Sequence, residues 1–387
     1  MKTILTTVII AIFATISTYA QYSKIENISI ESKELNQTRE IMVYTPIGYD
    51  NEYALYNVIY VFDAQNRELF DYVTSVANIS KEAGQGLIVV GIKATTIFEE
   101  VNGKKTWLYA RNSDLLPEDT KRLGGRKGNL NNFLAYVKHE VIPYVEANYR
   151  TLPGKTAIGH SLSASFVVYA LTQYPDMFDN YVAVSPNLEY DDEFLLNKLR
   201  TVDTQTFSTK KYLYMSHADE ANWGWGPSNK AAYALLNDTL QSDTFQVKIE
   251  EYPNEGHMSS YIPAVRSAMK TYLKEIRPSW KDIRSEETYE VTFQVKVLNE
   301  NDEVYIFGNQ ESLANWQKDK IKMHKTSPLE REITLEVQNH VEVQFSNDGE
   351  SLAWISIGDM GRSTHPMMIK PKVGAVYSFE IDENKPF

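Results

Sequence analysis

From about residue 22 to 280, short and nearly continuous apolar runs alternate with helix-like stretches, and that alternation leaves few folds open. The runs fall at 40–44, 58–62, 87–92, 155–158, 181–185, 211–215 and 247–250. Several are rich in β-branched and aromatic residues with little polar alternation, the pattern of strands covered on both faces in a largely parallel sheet. Between them, Phe133, Val137, Val141 and Ile142 recur at helical spacing within 131–148, and Val265, Met269 and Leu273 do so within 263–275. Strand and helix in turn predict an α/β layered domain over 21–280.

The character changes after 280. Short alternating segments at 291–297, 303–307, 332–337 and 341–345 are joined by turns rich in Asn, Asp and Gly, and no long helix is expected. A polar linker near 281–288 followed by an all-β sandwich over 288–387 accounts for this, and a length of 387 residues suits two domains.

The first twenty residues read as a signal peptide rather than as part of the fold. Lys2 precedes an apolar run at 4–16, and Ser17, Thr18, Tyr19 and Ala20 supply a small-residue cleavage site after Ala20. The run is shorter than the ~20 residues that cross a bilayer, so no membrane anchor is expected. The chain has no Cys, which removes disulfides, thiolate nucleophiles, cysteine-built metal sites and a lipid-modified N-terminus. A periplasmic or secreted soluble protein is the expectation. The formal charge of −12 argues against nucleic acid and anionic membranes as partners, leaving small molecules and neutral polymers. Oligomeric state is left open.

The sharpest chemical signal is Gly159-His160-Ser161-Leu162-Ser163, placed between a strand and the helix expected over 163–174. A nucleophile elbow turns so sharply that only small residues fit two before and two after the Ser, whose hydroxyl is thereby raised above the sheet. Gly159 meets the first requirement; at the second, Ser163 stands where Gly is usual. A glycine-bearing turn with an N-capping Ser is the structural alternative.

At these residues the chain resembles the putative esterase family of α/β-hydrolases, which includes esterase D, feruloyl esterases and enterochelin esterases. The likeness runs from Glu40 to Glu275 through Val43-Tyr44-Thr45-Pro46, Val58-Ile59-Tyr60-Val61-Phe62-Asp63, Arg111-Asn112-Ser113-Asp114, Ile142-Pro143-Tyr144-Val145, the elbow, and Tyr181-Val182-Ala183-Val184-Ser185-Pro186. It implies an α/β-hydrolase fold, no metal, no organic cofactor, and a Ser–acid–His order along the chain. Of the seven His, only His217 and His257 follow Ser161 before the β-rich part. His257 lies in the loop before the last helix, where the fold places its base, and His217 lies at a strand end, where the acid belongs. Asp219 and Glu220 are both candidates for the acid; alignment with the relatives favours Glu220. For the oxyanion, the resemblance implies backbone N–H donors from Leu162 and from the 63–66 loop, at Gln65 or its neighbour. Arg111 and Asp114 either position substrate or form a loop salt bridge. Trp223 and Trp225, just after the acid, form either a stacking platform for substrate or a packed lid.

Residues 288–382 resemble starch-binding carbohydrate modules, with Trp316 and Trp354 matching the two indoles on which such modules stack sugars. Gln344 and Glu330 depart from that pattern, so a docking or stabilising domain remains an equal reading. The expected activity is that of a serine carboxylic-ester hydrolase using Ser161, Glu220 and His257, on acyl esters of polysaccharides or related small esters. A siderophore esterase of the enterochelin type, a non-catalytic glycan-binding protein on a hydrolase scaffold, and acyl transfer to a sugar hydroxyl are the alternatives.

Overall fold

A computed structural model describes residues 23–49, 54–79, 86–94, 99–272, 285–356 and 362–382. The expected leader, the first half of the expected linker (281–284) and Leu273 lie outside them. Eight strands form one sheet: β1 (Lys24–Ser32), β2 (Gln37–Thr45), β3 (Tyr56–Phe62), β4 (Ile88–Ile92), β5 (Thr151–His160), β6 (Asn180–Val184), β7 (Lys211–Ala218) and β8 (Phe245–Tyr252). Their order is β1-β2-β4-β3-β5-β6-β7-β8. The hairpin β1–β2 and the β2–β4 pair are antiparallel; all pairs from β4 to β8 are parallel. This is the α/β-hydrolase sheet, and every apolar run expected to be a strand lies in it. β1 is an addition. Its alternating Ile28 and Ile30 pack against the core from an edge, a signal as short as many loops carry.

β3 explains why the apolar runs show no polar alternation. Val58, Tyr60 and Phe62 enter one hydrophobic cluster while Ile59 and Val61 enter another, so both faces of the strand are buried. Helices α1 (Arg67–Ile79) and α8 (Tyr261–Thr271) cover the second face. The first is covered by α3 (Leu130–Tyr136) continuing through a π turn into α4 (Ile142–Asn148), by α5 (Leu162–Gln173), and by α6 (Tyr190–Leu199) and α7 (Gly226–Leu235). Helix α2 (Trp107–Leu115) carries Arg111 and Asp114. None of the described helices is long and apolar enough to cross a membrane.

The C-terminal residues form separate sheets around their own core of Val291, Phe293, Val304, Ile306, Val343, Phe345 and neighbours. One sheet includes β9 (Thr288–Lys296) between a long antiparallel partner, Glu330–Gln338, and the parallel strand Ala375–Glu380. The other centres on Val304–Gly308 paired with Val341–Asn347.

Candidate active site

The parallel strands β5, β7 and β8 all end on the same side of the sheet, where connections are free to differ without disturbing the core. Such an edge is where α/β proteins place their ligands. His160 is the last residue of β5, Ser161 follows, and Leu162 starts α5. Ser161 has φ 60° and ψ −126°, a conformation that residues with a side chain adopt only when their surroundings impose it. Its N–H donates to Val184 O at 2.9 Å, which ties the turn to β6. Gly159 is required here: a Cβ on it would stand 2.3 Å from the Ser163 carbonyl oxygen. Ser163 is itself accommodated. Its fully buried hydroxyl donates to His160 O at 2.9 Å and accepts from His160 N–H at 3.0 Å.

His257, from the loop between β8 and α8, directs Nδ1 at Glu220 Oε1 over 2.5 Å. Glu220 follows β7 and its side chain is almost wholly buried, whereas Asp219 is exposed and donates its backbone N–H to Glu255 O at 3.0 Å. Burial pushes the Glu220 carboxyl up, but the hydrogen bond with His257 and the neighbouring His217 outweigh it and hold it below the usual range. His217 lies at the end of β7, with Nδ1 on the Tyr233 hydroxyl and Nε2 3.2 Å from Pro186 O. Burial pushes its imidazole down to about 4.

Ser161 and His257 line one cavity of about 470 Å³. Asp63, Gln65, Asn66 and Leu69 come to it from the end of β3 and the start of α1, Arg111 from α2, and His160 and Met258 from beside the two central residues. Among the described residues the Ser161 hydroxyl has no hydrogen bond to His257, a contact that commonly tightens only when substrate engages. Gln65 has its side chain committed, Nε2 donating to Asp63 Oδ1 at 2.8 Å and Oε1 accepting from Ala94 N–H at 3.0 Å. Its backbone N–H is left to face a reacting oxygen. Leu162 opens α5 and carries one of the N–H groups that no helical carbonyl can reach.

The structure separates Arg111 from Asp114. Arg111 grips Asp63 through Nε at 2.8 Å and through Nη2, at the cavity wall. Burial raises the Asp63 carboxyl, and Arg111 together with hydrogen-bonding neighbours including Gln65 more than offsets it, so the group stays ionised. Asp114 instead forms a buried two-pronged pair with Arg39 of β2, at 2.9 and 2.7 Å, away from the cavity lining.

Trp223 and Trp225 do not form a platform of two free indoles. Trp225 is buried, edge-on to Trp223 at 4.9 Å and to His257 at 5.6 Å. Trp223 is half exposed, with its ring centre 4.3 Å from that of His257. In the C-terminal part, Trp316 is 41% exposed and meets Phe307 edge-on at 6.3 Å, while Trp354 is half-buried with the Arg362 guanidinium 5.0 Å from its ring centre. No ring contact joins Trp316 to Trp354 among the described residues.

Two features of the cavity were not anticipated from sequence. One is the Asp63–Arg111 pair. The other is His160, whose Nε2 is 2.7 Å from His257 O and whose ring packs 4.6 Å from the His257 ring. Its place beside Ser161 was the available signal, but a motif residue of unspecified type draws no chemical reading.

The family described as putative esterase matches residues 32–326, which extends from the large sheet into the β-rich part. Ferri-bacillibactin esterase BesA of Bacillus subtilis is 27% identical over 177 residues, covering 44% of this chain and 60% of that protein. A siderophore enterobactin esterase of Emericella nidulans is 34% identical over 76 residues, covering 19% of this chain and 25% of its own length. The chain thus spans less than two thirds of these curated relatives. Among solved structures, the BES protein from Bacillus cereus superposes with a TM-score of 0.53 at 20% identity, covering 70% of this chain and 98% of that one. Siderophore hydrolase EstA from Aspergillus nidulans does so with a TM-score of 0.53 at 21% identity, covering 64% and 94%. Likeness at such identity is a likeness of fold. The match of the family over most of the chain's length, on a sheet of this order with this elbow, shows that the chain belongs to the putative esterase family.

Proposed function

We propose that the protein is a serine carboxylic-ester hydrolase acting on small-molecule esters of the siderophore type. The observation that carries the reading is the strained turn at Ser161 sharing a cavity with His257, whose Nδ1 is bonded to the buried Glu220. In the proposed reaction Ser161 Oγ attacks the ester carbonyl as His257 Nε2 takes its proton. Glu220 holds the imidazole in the tautomer that leaves Nε2 free to accept, and offsets the charge of the imidazolium. The backbone N–H groups of Leu162 and Gln65 receive the developing oxyanion. His257 returns the proton to the leaving alcohol, and water then cleaves the acyl-enzyme by the same route.

The substrate class rests on the relatives, whose names refer to siderophore esters. The polysaccharide esters expected from the aromatic C-terminal part have no such support from the relatives, and of its two indoles Trp316 meets Phe307 edge-on while Arg362 sits beside the Trp354 ring. The apolar run at 4–16 supports an extracytoplasmic site of action as part of the same proposal.

The test is hydrolysis of p-nitrophenyl acetate and of a tris-catecholate trilactone, metal-free and ferric, by the purified chain and its Ser161→Ala variant. Turnover of the trilactone that disappears with Ser161 is expected. No turnover of any ester, or turnover indifferent to Ser161, would overturn the assignment; cleavage of the acetate ester alone would remove the siderophore class.

A further inference from the structure

A general base on a loop must be held close to its productive position, and a bond to a carboxylate and packing against the Trp223 and Trp225 rings hold the imidazole without fixing the main chain of the loop that carries it. The His257 loop has a second restraint. The His257 carbonyl oxygen accepts from two side chains, His160 Nε2 at 2.7 Å and Ser260 Oγ at 3.0 Å. A carbonyl only accepts, so His160 must carry its hydrogen on Nε2. His160 is almost fully buried, and burial pushes its imidazole down to about 4, which keeps it a neutral donor near neutrality. Its ring also packs on the His257 ring at 4.6 Å and edge-on to Tyr261 of α8 at 5.6 Å.

His160 is itself fixed by a residue that departs from the usual motif. The Ser163 hydroxyl bonds both backbone groups of His160, at 2.9 and 3.0 Å. The chain of contacts therefore runs from Ser163 through the His160 backbone to its ring, and from the ring to the His257 carbonyl. The nucleophile turn and the base loop are cross-linked one residue away from Ser161.

We infer that His160 is a positioning residue which, anchored by Ser163, clamps the His257 loop so that the base is aligned with Ser161 as well as with Glu220. This rests on the reading of Ser161 and His257 as nucleophile and base. The role is indirect: His160 acts through the main chain of His257.

Three variants test it in the full-length chain. His160→Leu keeps apolar volume and removes the donor; His160→Gln places an amide N–H near the position of Nε2; Ser163→Gly restores the usual small residue and removes the anchor. His160→Leu is expected to lower kcat about 100-fold, the scale of a roughly 1 Å misplacement, with KM changed by less than about threefold. His160→Gln is expected to recover most of that loss, and Ser163→Gly to cost about three- to tenfold in kcat by the same misalignment. The downfield proton resonance of His257 Nδ1–H in its bond to Glu220 gives a readout independent of turnover. It should broaden or vanish in His160→Leu and persist in His160→Gln. If His160→Leu does not fold, Ser163→Gly carries the test through the same two measurements.

Wild-type kcat with an unchanged Nδ1–H resonance in His160→Leu, or in Ser163→Gly where the Leu variant does not fold, would overturn the inference while leaving the esterase reading intact. An equal loss in the Leu and Gln variants would also overturn it, because packing alone would then be at work. A wild-type chain that hydrolyses no ester would instead remove the esterase reading, and the resonance would decide the clamp by itself.

Discussion

The C-terminal edge of the large sheet and the C-terminal β-rich part both contain residues held at positive φ beside aromatic side chains, yet they differ in what those residues converge on. At the sheet edge, Ser161 at φ 60° opens on a cavity reached by His160, His257 and Arg111 from three separate segments. In the β-rich part, Ala314, Asn315 and Trp316 at φ 58°, 44° and 71° leave an indole edge-on to Phe307, with Trp354 placed separately beside Arg362. Strain next to polar groups that meet one another makes a site; strain next to a single exposed ring makes a turn. The physical distinction is convergence. Parallel strands deliver several loops to one edge, whereas turns between antiparallel strands present their side chains one loop at a time.

That comparison breaks most visibly at Ser161. Ser161→Ala should reduce ester turnover on the order of 10⁴-fold or more, whereas replacing both Trp316 and Trp354 by Ala should leave kcat/KM for a soluble ester within about twofold. A dependence on the two tryptophans as strong as that on Ser161 would mean that the regions act together. Next in size is Glu220. Glu220→Gln should lower kcat by about 10²–10⁴-fold, because the neutral amide no longer fixes the His257 tautomer, and Asp219→Asn should be within about twofold of wild type. Equal losses in both would show that the loop, rather than one carboxylate, is what matters.

A stability measurement comes third. Gly159→Ala places a methyl 2.3 Å from a backbone oxygen and should cost at least about 1–3 kcal/mol in urea unfolding. Gly374 at φ 70°, in the β-rich part, has open space around its missing Cβ, so Gly374→Ala should cost less, from backbone strain alone.

Acid should weaken the site region in a definite window. His160 and His217 titrate near 4 in the folded chain against 6.5 for the free side chain, so the unfolded chain binds protons first as pH falls. Stability is therefore undiminished by these two groups above about 6.5 and declines as pH drops towards about 4. Glu220 and Asp63, both held low, add to the loss at still lower pH. A thermal midpoint that stayed constant from neutrality to pH 4.5 would contradict this. The smallest effect is expected in glycan binding: retention on insoluble starch should be weak and unchanged in the Trp316→Ala/Trp354→Ala double variant, and a clear loss would reinstate the sugar platform.

Much of this architecture was legible before any coordinates, and for local reasons. Runs such as 58–62 cannot be half-exposed without placing Val, Ile or Phe in water, so their burial on both faces followed from composition. The elbow announced itself because the turn admits so few residues at 159 and 163. What was missed depends on distance. β1, though nine residues long, alternates too weakly to stand out, and the partners of Asp63 and Asp114 lie 48 and 75 residues away.

The sequence alone determined the strand–helix alternation, the change to short alternating strands, and the turn at Ser161. These are consequences of side-chain period and of steric limits within a few residues. Only the tertiary structure decided which of two adjacent carboxylates meets His257, that Arg111 and Asp114 serve different partners, that Trp225 is packed away, and that His160 reaches the base loop. Neighbouring residues at a strand end point in different directions, and which direction is buried depends on the chain that crosses it from far along the sequence.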